Sequence, residues 1–317
     1  MRKSALVALI LVPLVLPALA AAQPANPSKT PAAGADAKKD GANGNGFSLG
    51  TGTGDNKQPM QIEAEQGLEW RQNDKVYIAR GNVKVTRGKG TVFADTVVAH
   101  YRPAPKTPAK PTQATAKNGD DPTEGTEIYN VEANGNVKMV SESDTIYADH
   151  VVYDIDSQTM IATGKNLKLV TPQETVTARD TFEWYDRDKV GVARGNAIAV
   201  RDTKVLRADV LVAATAPDNK GGDQLTRIDA QGNVKVTSQD QIGLSDTAVY
   251  NADTGIVTLI GHVKLTRGSD ELRGEYAVID TKRNVSRLLS EPPSATLVKA
   301  RPARVEGLLQ PPDSQKK

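Results

Sequence analysis

Residues 81–86 read Gly81-Asn82-Val83-Lys84-Val85-Thr86, and residues 232–237 read Gly232-Asn233-Val234-Lys235-Val236-Thr237. Both alternate apolar and polar side chains with a period of two, the pattern of a strand with one buried face. An acidic residue follows each leading glycine by 14 positions: Asp95 after Gly81, Asp246 after Gly232. The same spacing joins Gly135 to Asp149, Gly195 to Asp209 and Gly261 to Glu275; a sixth unit at Gly164 carries Arg179 one position late. The spacing holds while the residues between drift, so it reflects structure. Repeats of this size cannot bury an apolar face alone and must stack. The expected object is one long stacked all-β body whose function comes from its shape.

The spacing also yields a register. If each unit is an antiparallel hairpin with Lys84 opposite Asp95, its turn centres on Lys89-Gly90. The same register sets Lys138 against Asp149, Lys235 against Asp246 and Lys264 against Glu275, opposite charges face to face. It places Val98, Val152, Val212, Val249 and Val278 opposite the repeating glycines. Two units break the rule, with Lys168 facing Arg179 and Ile198 facing Asp209. Ser143-Asp144 and Asp240-Gln241 are poor two-residue turns, so longer loops are expected there. With about two strands per unit, plus an entry strand at 61–71 and a closing one near 295–299, 14–17 strands are expected, about five or six residues being the usual strand length.

Lys84, Asp95, Lys138, Asp149, Lys235 and Asp246 form the wet face of this scheme. The other face carries Val83, Val85, Val92, Val98, Val137, Met139, Ile146, Val152, Leu167, Leu169, Val176, Phe182, Leu206, Val212, Val234, Val236, Val263, Leu265, Leu272 and Val278. Stacking aligns them into an apolar strip along the whole body. An ordinary sandwich core closed on itself is one reading of the strip. The aliphatic lining, its recurring alanines (Ala94, Ala148, Ala178, Ala208) and its few large aromatics favour the other, a groove with room for methylene chains.

Composition bounds the rest. The net charge is +2 with both signs interspersed, and aromatics make up 4% of the chain. A nucleic-acid binder needs a clustered basic face or stacking platforms, so that class is not expected. There is no cysteine, which excludes disulfides and thiolate chemistry. Residues 1–22 read as a cleaved export signal: Arg2 and Lys3, an apolar run to Ala18, and Ala20-Ala21-Ala22 before Gln23. Residues 23–58 read as a Pro/Ala/Gly leader, 59–300 as the folded domain, and 301–317 as a tail. Low-complexity segments at 102–127 and 216–224 are expected as loops outside the stack.

No catalytic constellation stands out. His100, His150 and His262 fall at different repeat positions, and there is no nucleophile elbow, phosphate loop or dinucleotide fingerprint. Asp95, Asp149, Asp209 and Asp246 could line up as a cation ladder or a glycosidase-like pair, but solvated cross-strand ion pairs are the plainer reading. No enzyme activity, metal or cofactor is expected.

The stretch Gln58-Pro59-Met60-Gln61-Ile62-Glu63-Ala64-Glu65, then Ala79-Arg80-Gly81-Asn82-Val83-Lys84-Val85, then Ala94-Asp95-Thr96-Val97-Val98 resembles the start of the OstA-like domain of the LptA family. Repeats of this signature cover about residues 58–299. The resemblance implies a half-open antiparallel β-jellyroll, a folded "taco" whose apolar interior holds the acyl chains of lipopolysaccharide (LPS). It implies a periplasmic carrier that passes LPS from inner-membrane to outer-membrane export machinery. It further implies end-to-end self-association and docking to LptC-like and LptD-like proteins of the same fold. The alternatives are a structural β-solenoid scaffold, a carbohydrate-active β-solenoid enzyme, and a sibling LptC-like or LptD-N-like module.

Overall fold

The structure is a computed structural model that describes residues 60–104, 126–141, 143–217, 223–239, 241–283, 285–291 and 305–308. The expected signal and leader, most of the 102–127 and 216–224 segments, the closing strand expected near 295–299, and most of the tail lie outside the described residues. Eighteen strands run β1 (Gln61–Glu63), β2 (Gly67–Arg71), β3 (Val76–Arg87), β4 (Gly90–Pro103), β5 (Thr126–Val140), β6 (Thr145–Asp154), β7 (Thr159–Thr163), β8 (Leu167–Val170), β9 (Thr175–Ala178), β10 (Thr181–Tyr185), β11 (Val190–Arg201), β12 (Lys204–Pro217), β13 (Asp223–Thr237), β14 (Ile242–Asn251), β15 (Ile256–Arg267), β16 (Asp270–Asp280), β17 (Val285–Leu289) and β18 (Glu306–Leu308). All belong to one sheet in which every pairing is antiparallel. Three pairs, β1/β2, β7/β8 and β9/β10, are single strands interrupted midway. Counted once each, they bring the total into the expected range.

The interruptions mark a crease. In β3 the partners jump from Arg80↔Thr96 to Val83↔Ala94, so Gly81 and Asn82 together oppose Asp95 alone. This is a β-bulge, which bends its strand sharply. Gly81 and Asn82 both have positive φ, 80° and 41°, a conformation that glycine and asparagine tolerate best. The same bulge recurs at Gly135-Asn136 against Asp149, Gly195-Asn196 against Asp209, Gly232-Asn233 against Asp246 and Gly261-His262 against Glu275. The 14-residue spacing is therefore the path from crease to crease around one hairpin.

Folding at the crease gives two walls. The hairpin turns of one wall fall at 88–89, 141–144, 171–174, 202–203, 238–241 and 268–269. The described turns of the other fall at 72–75, 155–158, 186–189, 252–255 and 281–283. Between the two rows of turns lies the mouth of a half-open jellyroll. The interior between the walls is a single apolar cluster reaching from Ala79 to Ile279.

The bulge corrects the expected register. Lys84 faces Phe93, not Asp95, and the turn is Gly88-Lys89, one position early. Lys138 lies between Phe93 and Tyr147, Lys235 between Arg207 and Leu244, and Lys264 between Leu244 and Arg273. None of the four expected lysine–carboxylate pairs forms across its own hairpin, because the acid sits in the crease. The valines expected opposite glycines are displaced too: Val98 pairs with Ile78 and Glu132.

Segment boundaries shift as well. Arg102↔Glu127 and Pro103↔Thr126 are strand pairs, as are Ala216↔Gln224 and Pro217↔Asp223, so the two expected loops are shorter than drawn. Arg102 clamps the first of these bases by donating to Asp156 at 2.7 and 2.8 Å and to Glu127 at 2.5 Å. Glu306–Leu308, inside the expected tail, pairs with β16. The weak turns behave as expected, with four-residue loops at 141–144 and 238–241.

Candidate functional site

The interior is the candidate site. Of the twenty residues expected to line it, thirteen are buried in the apolar cluster: Val83, Val85, Val92, Val137, Met139, Ile146, Leu167, Phe182, Leu206, Val234, Val236, Val263 and Leu265. Leu169, Val176 and Leu272 are half-buried against it.

The remaining four, Val98, Val152, Val212 and Val278, are half-buried and belong to the opposite face of their strands. Their inward neighbours are Val97, Val151, Leu211 and Ala277. The physical reason is a change of phase at the crease. Along β4, Val92 and Ala94 point inward before Asp95, and Val97 points inward after it. A strict period of two carried across a bulge lands on the wrong face.

Besides the expected Phe182, two tyrosines that the expected lining left out are part of the interior. Tyr153 is 1% exposed, and Tyr250 and Phe182 are buried elsewhere in the same cluster. These tyrosines lie on strand halves whose inward phase is hidden by the bulge. The repeat itself could have found them, since Tyr153 and Tyr250 occupy the same position after Gly135 and Gly232.

Packing along the interior is close, and among the described residues two apolar gaps stand out. One lies among Met60, Val85, Val92, Val131, Ala133, Met139, Val151 and Tyr153, with Arg87 at its edge; its free volume is about 20 Å³. The other lies among Leu206, Ile228, Ala230, Val236, Ala248, Tyr250, Val257 and Leu259, with Gln241 at its edge; its free volume is about 30 Å³. Each is only about the size of one or two water molecules. An acyl chain enters only if the walls part.

A polar row closes the apolar surface at the mouth. In the first wall the inward phase continues past Val85, Met139, Val176, Ala199 and Leu265 to Arg87, Ser141, Glu174, Arg201 and Arg267. Burial raises the pKa of Glu174, against the lowering effect of Arg201, with Asp144 adding to the rise. Burial likewise raises Asp144. Lys204, paired with Arg201 across the hairpin, is lowered by burial and by the Arg201 charge. Nη1 of Arg201 is buried without a hydrogen-bond partner. The row can therefore receive a polar or anionic group at the edge of an apolar bed.

At the crease, carboxylates bind the next repeat. Asp95 accepts from Asn136 Nδ2 (2.9 Å), Asp209 from Asn233 Nδ2 (2.8 Å) and Asp149 from the Lys165 amide (2.8 Å), while Asp246 contacts His262 Nδ1 (2.8 Å). Asp180, the neighbour of Arg179, closes on Gly195. These acids staple the fold. Among the described residues no group of three His, Cys, Asp or Glu side chains could hold a metal.

A family model described as "LptA/(LptD N-terminal domain) LPS transport protein" matches the chain twice, at residues 61–180 and 175–285. Together the matches cover more than half of the chain. The protein belongs to this family. No curated protein matches it. Among solved structures, it is similar to the crystal structure of LptH, the LptA-homologous periplasmic component of the lipopolysaccharide transport device of Pseudomonas aeruginosa. The identity is 16%, over 80% of this chain and 96% of that one, with a TM-score of 0.20. Membership places this family member among LPS transport proteins, and its interior is where such a role must be sought.

Proposed function

We propose that this protein is a periplasmic carrier that holds the acyl chains of LPS between its two walls and bridges the inner-membrane and outer-membrane export machinery, without catalysing a reaction. The observation that carries the proposal is the unbroken apolar interior from Ala79 to Ile279, bounded by a polar row only at the mouth. Water charges roughly 25 cal/mol for each Å² of exposed acyl surface; an apolar trough open along one side removes that cost while the sugars stay wet. Among the described residues the backbone links the two walls at the crease, so parting them at the mouth admits chains without breaking the strand ladders. The export signal at residues 1–22 delivers the chain to the periplasm in this reading.

The ends of the stack supply the docking surfaces. Among the described residues β1 and β2 pair only with β3, and β17 and β18 only with β16. Leu68 and Trp70, cross-strand partners of Ala79 and Tyr77, continue the interior surface and are 64% and 40% exposed. Unpaired edges beside bare apolar surface suit strand addition by the same fold: an LptC-like protein, an LptD-like protein or a second copy head to tail.

A photo-crosslinker at Val137 or Phe182, inside, is expected to capture LPS in cells, and one at the exposed, outward Lys138 is not. Equal capture at all three positions removes the proposal. The close packing around the two gaps favours a second reading, a structural β-scaffold with a filled core. That reading predicts no capture at any position.

A further inference from the structure

The two gaps are the same gap twice. Met139 and Ala133 line the first, at positions +4 and −2 from Gly135; Val236 and Ala230 line the second, at +4 and −2 from Gly232. Tyr153 and Tyr250 occupy position +18 in the two copies and line the two gaps. The family model matches the same two halves separately. The first crease glycine of each half is followed at position +6 by an arginine at the mouth, Arg87 after Gly81 and Arg201 after Gly195; the second half carries a further one, Arg267 after Gly261. Arg87 lines the first gap. Arg201 is outside the lining of the second gap and stands two residues beyond Ala199, the cross-strand partner of Leu206 in that lining.

We infer that one chain holds two equivalent compartments for an acidic acylated lipid, one per half, each gated at the mouth by an inward arginine that receives a phosphate of the lipid. The inference rests on the carrier reading above and adds stoichiometry and headgroup chemistry to it. The apolar gap fixes where chains start to enter. The buried Nη1 of Arg201 has no hydrogen-bond partner, and a guanidinium in that state favours an anion that can accept from it. A phosphate at the mouth sits where the apolar bed ends, so one molecule satisfies both surfaces at once.

The test titrates the full chain with lipid A, which carries phosphates and acyl chains, and with dephosphorylated lipid A, reading bound lipids per chain by native mass spectrometry. Two lipid A molecules per chain are expected, with the dephosphorylated form weaker at both sites. Arg201→Gln weakens lipid A binding at one site about tenfold, the range of a lost charge-assisted hydrogen bond; it leaves the dephosphorylated form unchanged, and Arg201→Lys restores most of the loss. Arg87→Gln does the same at the other site. A thermal melt of each variant checks folding, and the unchanged binding of the dephosphorylated form is the internal control. One lipid per chain, or phosphate-independent binding, overturns this inference and leaves the carrier reading standing. No binding of either lipid by the wild-type chain overturns both.

Discussion

Asp95 Oδ2 accepts a 2.9 Å hydrogen bond from Asn136 Nδ2 in the next hairpin, and the same oxygen lies 2.2 Å from where a Cβ on Gly135 would stand. One carboxylate thus both fastens two repeats and demands a glycine between them.

Gly135→Ala is therefore expected to destabilise the fold by about 1–3 kcal/mol, from backbone strain at φ 77° and collision with Asp95. Asp95→Ala in the same chain removes the collision with the carboxylate but not the strain. A double-mutant cycle in urea should show the second substitution costing less in the presence of the first. Strict additivity would mean that the two residues do not meet.

The change of face at the crease is tested with Met139→Ala and Val98→Thr. Met139 is 1% exposed, and its truncation should cost about 2–5 kcal/mol. Val98→Thr, on the outer face, should stay within about 0.5 kcal/mol of wild type. A comparable loss at both sites contradicts the two-walled arrangement.

His262 stands where the other bulges carry asparagine, and its hydrogen bond to Asp246, then the charges of Asp246 and Glu275, raise its pKa above the ordinary 6.5. The folded state holds the proton more tightly than the unfolded state. The stabilisation is complete below about pH 6.5 and fades as pH rises through the folded value. His262→Asn should flatten that part of the melting-temperature profile. The side chain is fully exposed, so the change is small and weakens with salt.

Glu174 has the opposite consequence. Its pKa is raised chiefly by burial, so the unfolded chain releases the proton first as pH climbs, and stability falls above the ordinary carboxylate range. Glu174→Gln should melt higher than wild type at neutral pH and converge with it in acid. A lower melt at pH 7 would mean that attraction to Arg201 outweighs burial.

Much of this architecture is legible in the amino-acid order. The 14-residue spacing marks the hairpins, the crease and the acids that occupy it, and thirteen interior residues follow from alternation alone. What stays hidden is local. Two residues in the left-handed region, such as Gly81 and Asn82, advance the chain without advancing the pleat, so every expected partner beyond them is misplaced. Val98 for Val97, and Phe93 rather than Asp95 opposite Lys84, are the same error seen twice. The polar row at the mouth is invisible for another reason. Arg87 and Arg201 look like strand-end cations until the second wall is placed opposite them.

The crease has one more consequence. Because each hairpin pairs with its predecessor along a whole strand and repeats the same glycine–carboxylate contact at the crease, the body grows or shrinks in whole hairpins, like a hinged screen gaining panels. Extra length falls outside the lock, at the free ends of the panels, as between Pro103 and Thr126. The reach of such a protein across a gap is then written in its number of glycine–acid pairs.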